Sequence, residues 1–167
     1  ETRKNMKKSV FVKMILPIFL CAVLLGLSGC SSEQSYSFGP NDDVSGFSSE
    51  YKADLQEKLN AAGNAPAGLS YYGYQTKFDD QGQLIVDGFF RNRTGDTITD
   101  LKCTITIMVD LITVAYGEFN IPESEFGTLK SGDSRPWTLI FTAEDVLAKD
   151  QDLSKYDVKV EATYKRV

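Results

Sequence analysis

The chain has 167 residues, 42% hydrophobic and 25% charged, with a formal net charge of −5, a size that gives one domain with short extras. It contains no histidine, which removes the usual general base near neutral pH, the commonest metal ligand and the middle member of a Ser or Cys triad. Residues 1–30 hold five basic residues and one acidic, so the rest carries 13 basic and 22 acidic, a net of −9 with no Lys/Arg cluster; that sign repels phosphate backbones and excludes nucleic acid as an expected partner.

Basic residues open the chain, and Met14–Leu27 follows as fourteen uncharged residues. That run is short of the ~20 residues needed to span a bilayer and fits a secretory signal over residues 1–29. Leu27, Ser28 and Gly29 then precede Cys30, and Leu-Ser-Gly-Cys resembles the lipobox of bacterial lipoproteins. The resemblance implies a diacylglycerol on Cys30, which becomes the new N-terminus after cleavage; two acyl chains are enough for a stable anchor. A released protein and an uncleaved N-terminal anchor are the alternatives.

Residues 30–49 follow as a lipidated, Ser-rich flexible tether, with seven Ser between Ser31 and Ser49. Such a coil reaches ~25 Å on average. Asn41-Asp42-Asp43 lacks the ligand spacing of a calcium loop. Residues 50–63 read as a short amphipathic helix: Tyr51, Leu55, Leu59 and Ala62 share a face, Ser48 or Ser49 caps it and Gly63 ends it. Packing of that stripe on the domain's own sheet is preferred over a partner-binding role.

Residues 69–167 switch to a period of two. Tyr72, Tyr74, Thr76 and Phe78 are assigned inward and Tyr71 out of phase; Asp79–Gln83 is a hairpin turn. Val86, Gly88, Phe90 and Asn92 share a side opposite Asp87 and Arg91. Leu101, Cys103, Ile105, Ile107 and Val109 alternate with polar residues, which makes Cys103 a buried, inert thiol. Further strands follow at Val114–Ile121, at Trp137–Phe141 with Pro136 at its entrance, and at Tyr156–Tyr164; a short helical turn is placed around Val146 and Leu147. Six or seven strands, each with one wet face, predict an all-β, antiparallel, immunoglobulin-like sandwich without its disulfide, with a small closed barrel as the second choice.

Three segments carry a family likeness: Val86-Asp87-Gly88-Phe89-Phe90-Arg91-Asn92, then Gly117-Glu118-Phe119, then Ser134-Arg135-Pro136-Trp137-Thr138-Leu139-Ile140-Phe141. Together they resemble the SLAP domain of Bacillus-type Firmicutes, named from an S-layer assembly protein linked to the accessory Sec export system. The likeness covers about Tyr71 to Tyr164. A looser one runs to FxLYD-type domains of Gram-positive lipoproteins. One departure is Asp110-Leu111-Ile112-Thr113, an apolar, Gly-free connection where the family has an Asp-Gly-type turn. Neither family implies a catalytic motif. For Phe89, Phe90, Arg91, Asn92, Arg135, Pro136, Trp137 and Phe141 the structural reading is preferred: Trp137 fills the core, and Arg135 caps the sheet edge or pairs with Asp133.

Three function classes compete. The first, and the expectation, is a non-enzymatic, membrane-anchored envelope module that contacts an envelope or exported protein in export or surface-layer assembly. The second is a wall-polymer or glycan binder using Tyr71, Tyr72 and Tyr74. The third, an enzyme, is disfavoured, because adjacent carboxylates in turns or at helix starts do not split their pKa values and no Ser-x-x-Lys nucleophile motif opens a helix of the folded part. No cofactor and no metal are expected. The expected location is the outer face of the cytoplasmic membrane of a Gram-positive bacterium.

Overall fold

The computed structural model describes residues 34–167; the leader, Leu27-Ser28-Gly29 and Cys30 lie outside the described residues. The period-two segments form strands β1 (Ser35–Tyr36), β2 (Gly68–Phe78), β3 (Leu84–Arg93), β4 (Ile98–Val109), β5 (Ile112–Ile121), β6 (Asp133–Phe141) and β7 (Asp157–Arg166). Helix α1 spans Ser49–Ala61, and the single-turn α2 spans Glu123–Phe126. One sheet has the order β1-β6-β3-β2 and the other β5-β4-β7. The fold is thus mostly β, in two sheets with a small helix.

Both sheets contribute to one core. Leu84, Val86, Phe90, Leu139 and Phe141 of the first meet Leu101, Ile105 and Ile107 of the second, all fully buried. Each such side chain contributes about 1.5–3 kcal/mol by leaving water. The strand β7 supplies Val158, Val160, Ala162 and Tyr164 from one edge, in the phase its alternation predicts. Cys103 is buried there as a free thiol, and burial pushes its pKa up to about 11.

Local chemistry explains the connections. Asp79 Oδ1 accepts from the Gln81 and Gln83 N–H groups, at 2.9 and 2.8 Å, and fixes the β2–β3 turn. The Gly-free connection after β4 still makes a two-residue hairpin: Val109 pairs with Ile112, and Asp110 takes the left-handed conformation at φ 54° that glycine would otherwise supply. Asp is among the few non-Gly residues that tolerate this. Ser48 caps α1 by accepting from the Tyr51 N–H at 3.1 Å.

Several expectations are corrected. The tether is not a free coil from Gln34 onward: Ser35–Tyr36 pairs with Asp133–Ser134, and Tyr36 and Phe38 pack beneath α1. The β1–β6 pair is parallel, so the architecture is not wholly antiparallel. The first sheet does not have a wet outer face. Leu55 and Leu59 of α1 cover Phe89 there, with Tyr72 and Tyr74 beside them.

Tyr71, assigned outward, is a core residue at 5% exposure, and its hydroxyl donates to the Val86 and Trp137 carbonyls at 2.8 and 2.7 Å. The reason is a register shift between Gly73 and Gln75: one extra residue reverses the phase of the strand on either side of it. Pro136 lies within β6, paired with Phe89, and not at its entrance. It is tolerated because β1 has ended by then, leaving that side of β6 as a sheet edge. Val146 bridges to Ala115 of β5 in extended pairing instead of a helical turn, which leaves Leu147 65% exposed.

Candidate functional site

The residues singled out by the family likeness divide among three places. Phe90, Trp137 and Phe141 belong to the core: Phe90 meets Tyr71 and Phe126 edge-on at 5.1 and 5.8 Å, Trp137 meets Phe126 at 5.9 Å, and Phe141 meets Phe119 at 5.3 Å. Trp137 is only partly buried. Asn92 is a turn staple: Nδ2 donates to the Asp96 and Leu129 carbonyls at 2.8 and 2.9 Å, and Oδ1 accepts from Thr94. Phe89 faces the other way, onto α1.

Arg91 and Arg135 share a different role. Both are 3% exposed, and neither is in any of the ion pairs among the described residues. Arg91 Nη2 donates to Gln34 Oε1 at 2.6 Å and to the Gly63 carbonyl just past α1. Arg135 Nε donates to the Ser37 carbonyl at 3.2 Å, and Nη2 to Ser37 Oγ and the Thr128 carbonyl at 3.0 Å each. Its guanidinium lies 5.2 Å from the Phe126 ring centre. The expected pairing with Asp133 does not form; Asp133 takes the Ser35 hydroxyl instead. Burial lowers both guanidinium pKa values, and for Arg135 the nearby Asp42 and Asp133 oppose that shift. A guanidinium removed from water is costly unless its donors are satisfied. These two use neutral oxygens, Gln34 and Ser37 of the N-terminal segment together with the Gly63 and Thr128 carbonyls, and so clamp β1 and its approach onto the sheet. Arg91 Nε and Arg135 Nη1 are buried without a hydrogen-bond partner among the described residues.

The clamped segment builds a groove. Beyond Ser37 the chain leaves the edge of β6, and Phe38, Asp42 and Phe47 form one wall over the outer face of the first sheet. Tyr51 and Lys58 of α1 continue that lining, and Tyr74, Gln75 and Asp87 of the sheet complete it with Pro136, Trp137 and Thr138 of β6. The groove holds about 530 Å³, within the range of small-ligand or peptide clefts. Its rings are in continuous contact: Phe38 to Phe47 and Phe47 to Tyr51 are each 5.0 Å between centroids. Tyr51 remains 42% exposed. Lys58 Nζ sits 4.7 Å from the Tyr74 ring centre and 2.6 Å from Asp54. Thr138 Oγ1 donates to Asp87 Oδ1 at 2.6 Å. Burial, and secondarily Asp87, pushes the Tyr74 phenol up to about 12, so it stays neutral.

Of the sequence-predicted residues, the groove brings together only Pro136, Trp137 and Tyr74. Phe38 and Phe47 were missed as site residues, and Tyr51 was assigned to a stripe packed on the sheet in preference to a partner-binding one. The signal was present, since a solvated linker does not place Tyr36, Phe38 and Phe47 within twelve residues. The aromatic platform expected from Tyr71, Tyr72 and Tyr74 does not form: Tyr71 is in the core and Tyr72 is partly buried against the α1 cluster. Among the described residues no three acidic or thiol side chains converge as metal ligands, and no helix is long and apolar enough to cross a membrane.

Compared with family models, the chain matches the SLAP domain over residues 42–162. Neither the comparison with curated proteins nor that with solved structures returned a match.

Proposed function

Because this chain belongs to the SLAP-domain family, we propose that it is a non-enzymatic interaction module of the cell envelope, accessory to protein export or surface-layer assembly. In this reading the two sheets are an immunoglobulin-like sandwich, and a diacylglycerol on Cys30 holds it at the outer face of the cytoplasmic membrane. The single observation that carries the interaction role is the aromatic groove: three rings in continuous contact, one of them 42% exposed, on a sheet face otherwise covered by the chain's own helix. Exposed contiguous aromatics rimmed by polar groups mark binding surfaces. The lipobox-like Leu27-Ser28-Gly29-Cys30 supports the anchor. Absence of histidine from the chain supports a non-catalytic role.

A photo-crosslinker at Tyr51 on intact cells is expected to capture exported or surface-layer proteins. Recovery of wall polymer alone would replace this reading with the glycan one. Cys30→Ala is expected to move the protein from membrane to medium; a variant that stays membrane-bound removes the anchor from the proposal.

A further inference from the structure

Deepening that interaction role, and resting on it, we propose that the groove receives the side-chain cation of a lysine or arginine borne by an extended segment of the partner polypeptide. Charge complementarity selects the cation. Asp42 and Asp87 line the groove, and neither is in an ion pair among the described residues. Each is oriented by one hydrogen bond, from the Gly39 N–H and the Thr138 hydroxyl respectively, both at 2.6 Å. A carboxylate so placed keeps further acceptor sites open. Among the described residues the one basic side chain that lines the groove, Lys58, is already paired with Asp54 at 2.6 Å.

The groove also holds one cation in the proposed manner. Lys58 Nζ lies 4.7 Å from the Tyr74 ring centre, within the distance at which a ring face attracts an ammonium. Phe38, Phe47 and Tyr51 offer further ring faces with no cation over them among the described residues. Their planes are inclined at 49° and 55° to one another. That is a partial cage suited to a compact cation, not the flat platform on which a sugar ring stacks.

The strand edge selects an extended polypeptide to carry the cation. The Ser134 carbonyl accepts from the Ser37 N–H on the β1 side of β6 at 2.9 Å. Main-chain groups alternate sides along a strand, so Pro136, Thr138 and Ile140 point theirs the same way. Beyond Ser134 no described strand pairs on that side, and Pro136 and Thr138 line the groove. An incoming strand paired at Thr138 and Ile140 lays its side chains at the groove mouth, as in strand addition to a sheet edge.

The test is amide chemical-shift mapping on the isotope-labelled full chain in detergent micelles, with three probes. They are a blocked nine-residue Ser/Thr peptide with one central lysine, the same peptide with a central glutamate, and an N-acetylglucosamine hexamer. Saturable shifts at Tyr51, Asp87, Thr138 and Ile140 are expected with the lysine peptide alone. Asp87→Asn and Tyr51→Ala should each weaken that binding about tenfold, whereas Glu118→Gln on the other sheet should leave it unchanged. Spectra that match the parent away from the groove verify folding of each variant. Equal binding of the glutamate peptide, no saturable binding of the lysine peptide, or indifference to both groove variants overturns the proposal. Shifts with the hexamer alone overturn it in favour of a glycan site. If the lysine peptide fails while Tyr51 crosslinks still capture exported proteins, only the cation readout falls. If the crosslinks also fail, the interaction role falls with it.

Discussion

The two sheets meet in one core but differ on their backs. The β5-β4-β7 sheet turns Lys102, Thr104, Glu118, Asn120, Glu161 and Thr163 away from that core, nearly all of them exposed. The β1-β6-β3-β2 sheet turns Phe89 and Arg91 the same way and buries both completely or nearly so, beneath α1 and the N-terminal segment. A wet back makes the sheet's inner face legible as alternation. A covered back removes alternation and lets a sheet carry apolar side chains on both faces. The adjacent pair Phe89-Phe90 is the plainest mark of this, each 0% exposed and on opposite faces.

The sharpest way to break the comparison is to truncate that pair. Phe90→Ala and Phe89→Ala are each expected to cost about 3–5 kcal/mol in denaturant unfolding. If Phe89→Ala costs under about 1 kcal/mol, the covered back is not part of the cooperative unit. Next come the arginine clamps. Arg135→Met leaves the Ser37 and Thr128 oxygens without their donor and is expected to cost about 1–3 kcal/mol. Increased hydrogen exchange should then be confined to residues 34–47, and a uniform increase throughout the fold would show that Arg135 supports the core instead. Smaller again is Ser48→Ala, which deletes the α1 cap and should cost about 1 kcal/mol, read from the unfolding midpoint.

An alkaline pH series gives a graded check on the shared core. Burial raises the Tyr71 phenol well above its usual 10.0, Tyr156 up to about 12 and the Cys103 thiol up to about 11. The folded state therefore favours their neutral forms. This contribution is fully present below the unfolded values, 9.0 for the thiol and 10.0 for the phenols, and is lost as pH rises through about 11–12. Stability should be flat from pH 7 to 8 and fall above pH 9, and Cys103 should resist maleimide at pH 8 unless the protein unfolds.

How much of this was legible follows from where water lies. β4 from Leu101 onward and β7 read in the correct phase, because Cys103, Ile105 and Ile107 alternate with half-exposed threonines and Val158 and Val160 alternate with exposed charges. Ile98–Asp100, ahead of the register shift in β4, were not read as strand. Helix α1 was read within two residues at each end, since Ser48 and the Leu55/Leu59 spacing are local signals. β2 was read out of phase at Tyr71, because the extra residue at its register shift has no sequence signature apart from Gly73. The Ser-rich stretch was misread because composition outweighed its aromatics, and with it went the groove. Arg91 and Arg135 were marked by family likeness, but their partners Gln34 and Ser37 lie 57 and 98 residues earlier in the chain. No local pattern announces contacts of that span.

The early start of β1 also has a mechanical consequence. Only four residues lie between Cys30 and Ser35, so an anchor at Cys30 would be a leash of five Cα–Cα steps, at most about 18 Å. With the anchor proposed above, so short a leash would moor the domain at one end instead of letting it float free. A pull on such an anchor would enter at Ser35 and run sideways into β6 and the two guanidiniums before it reached the core. The groove begins at Phe38, next along that same load path.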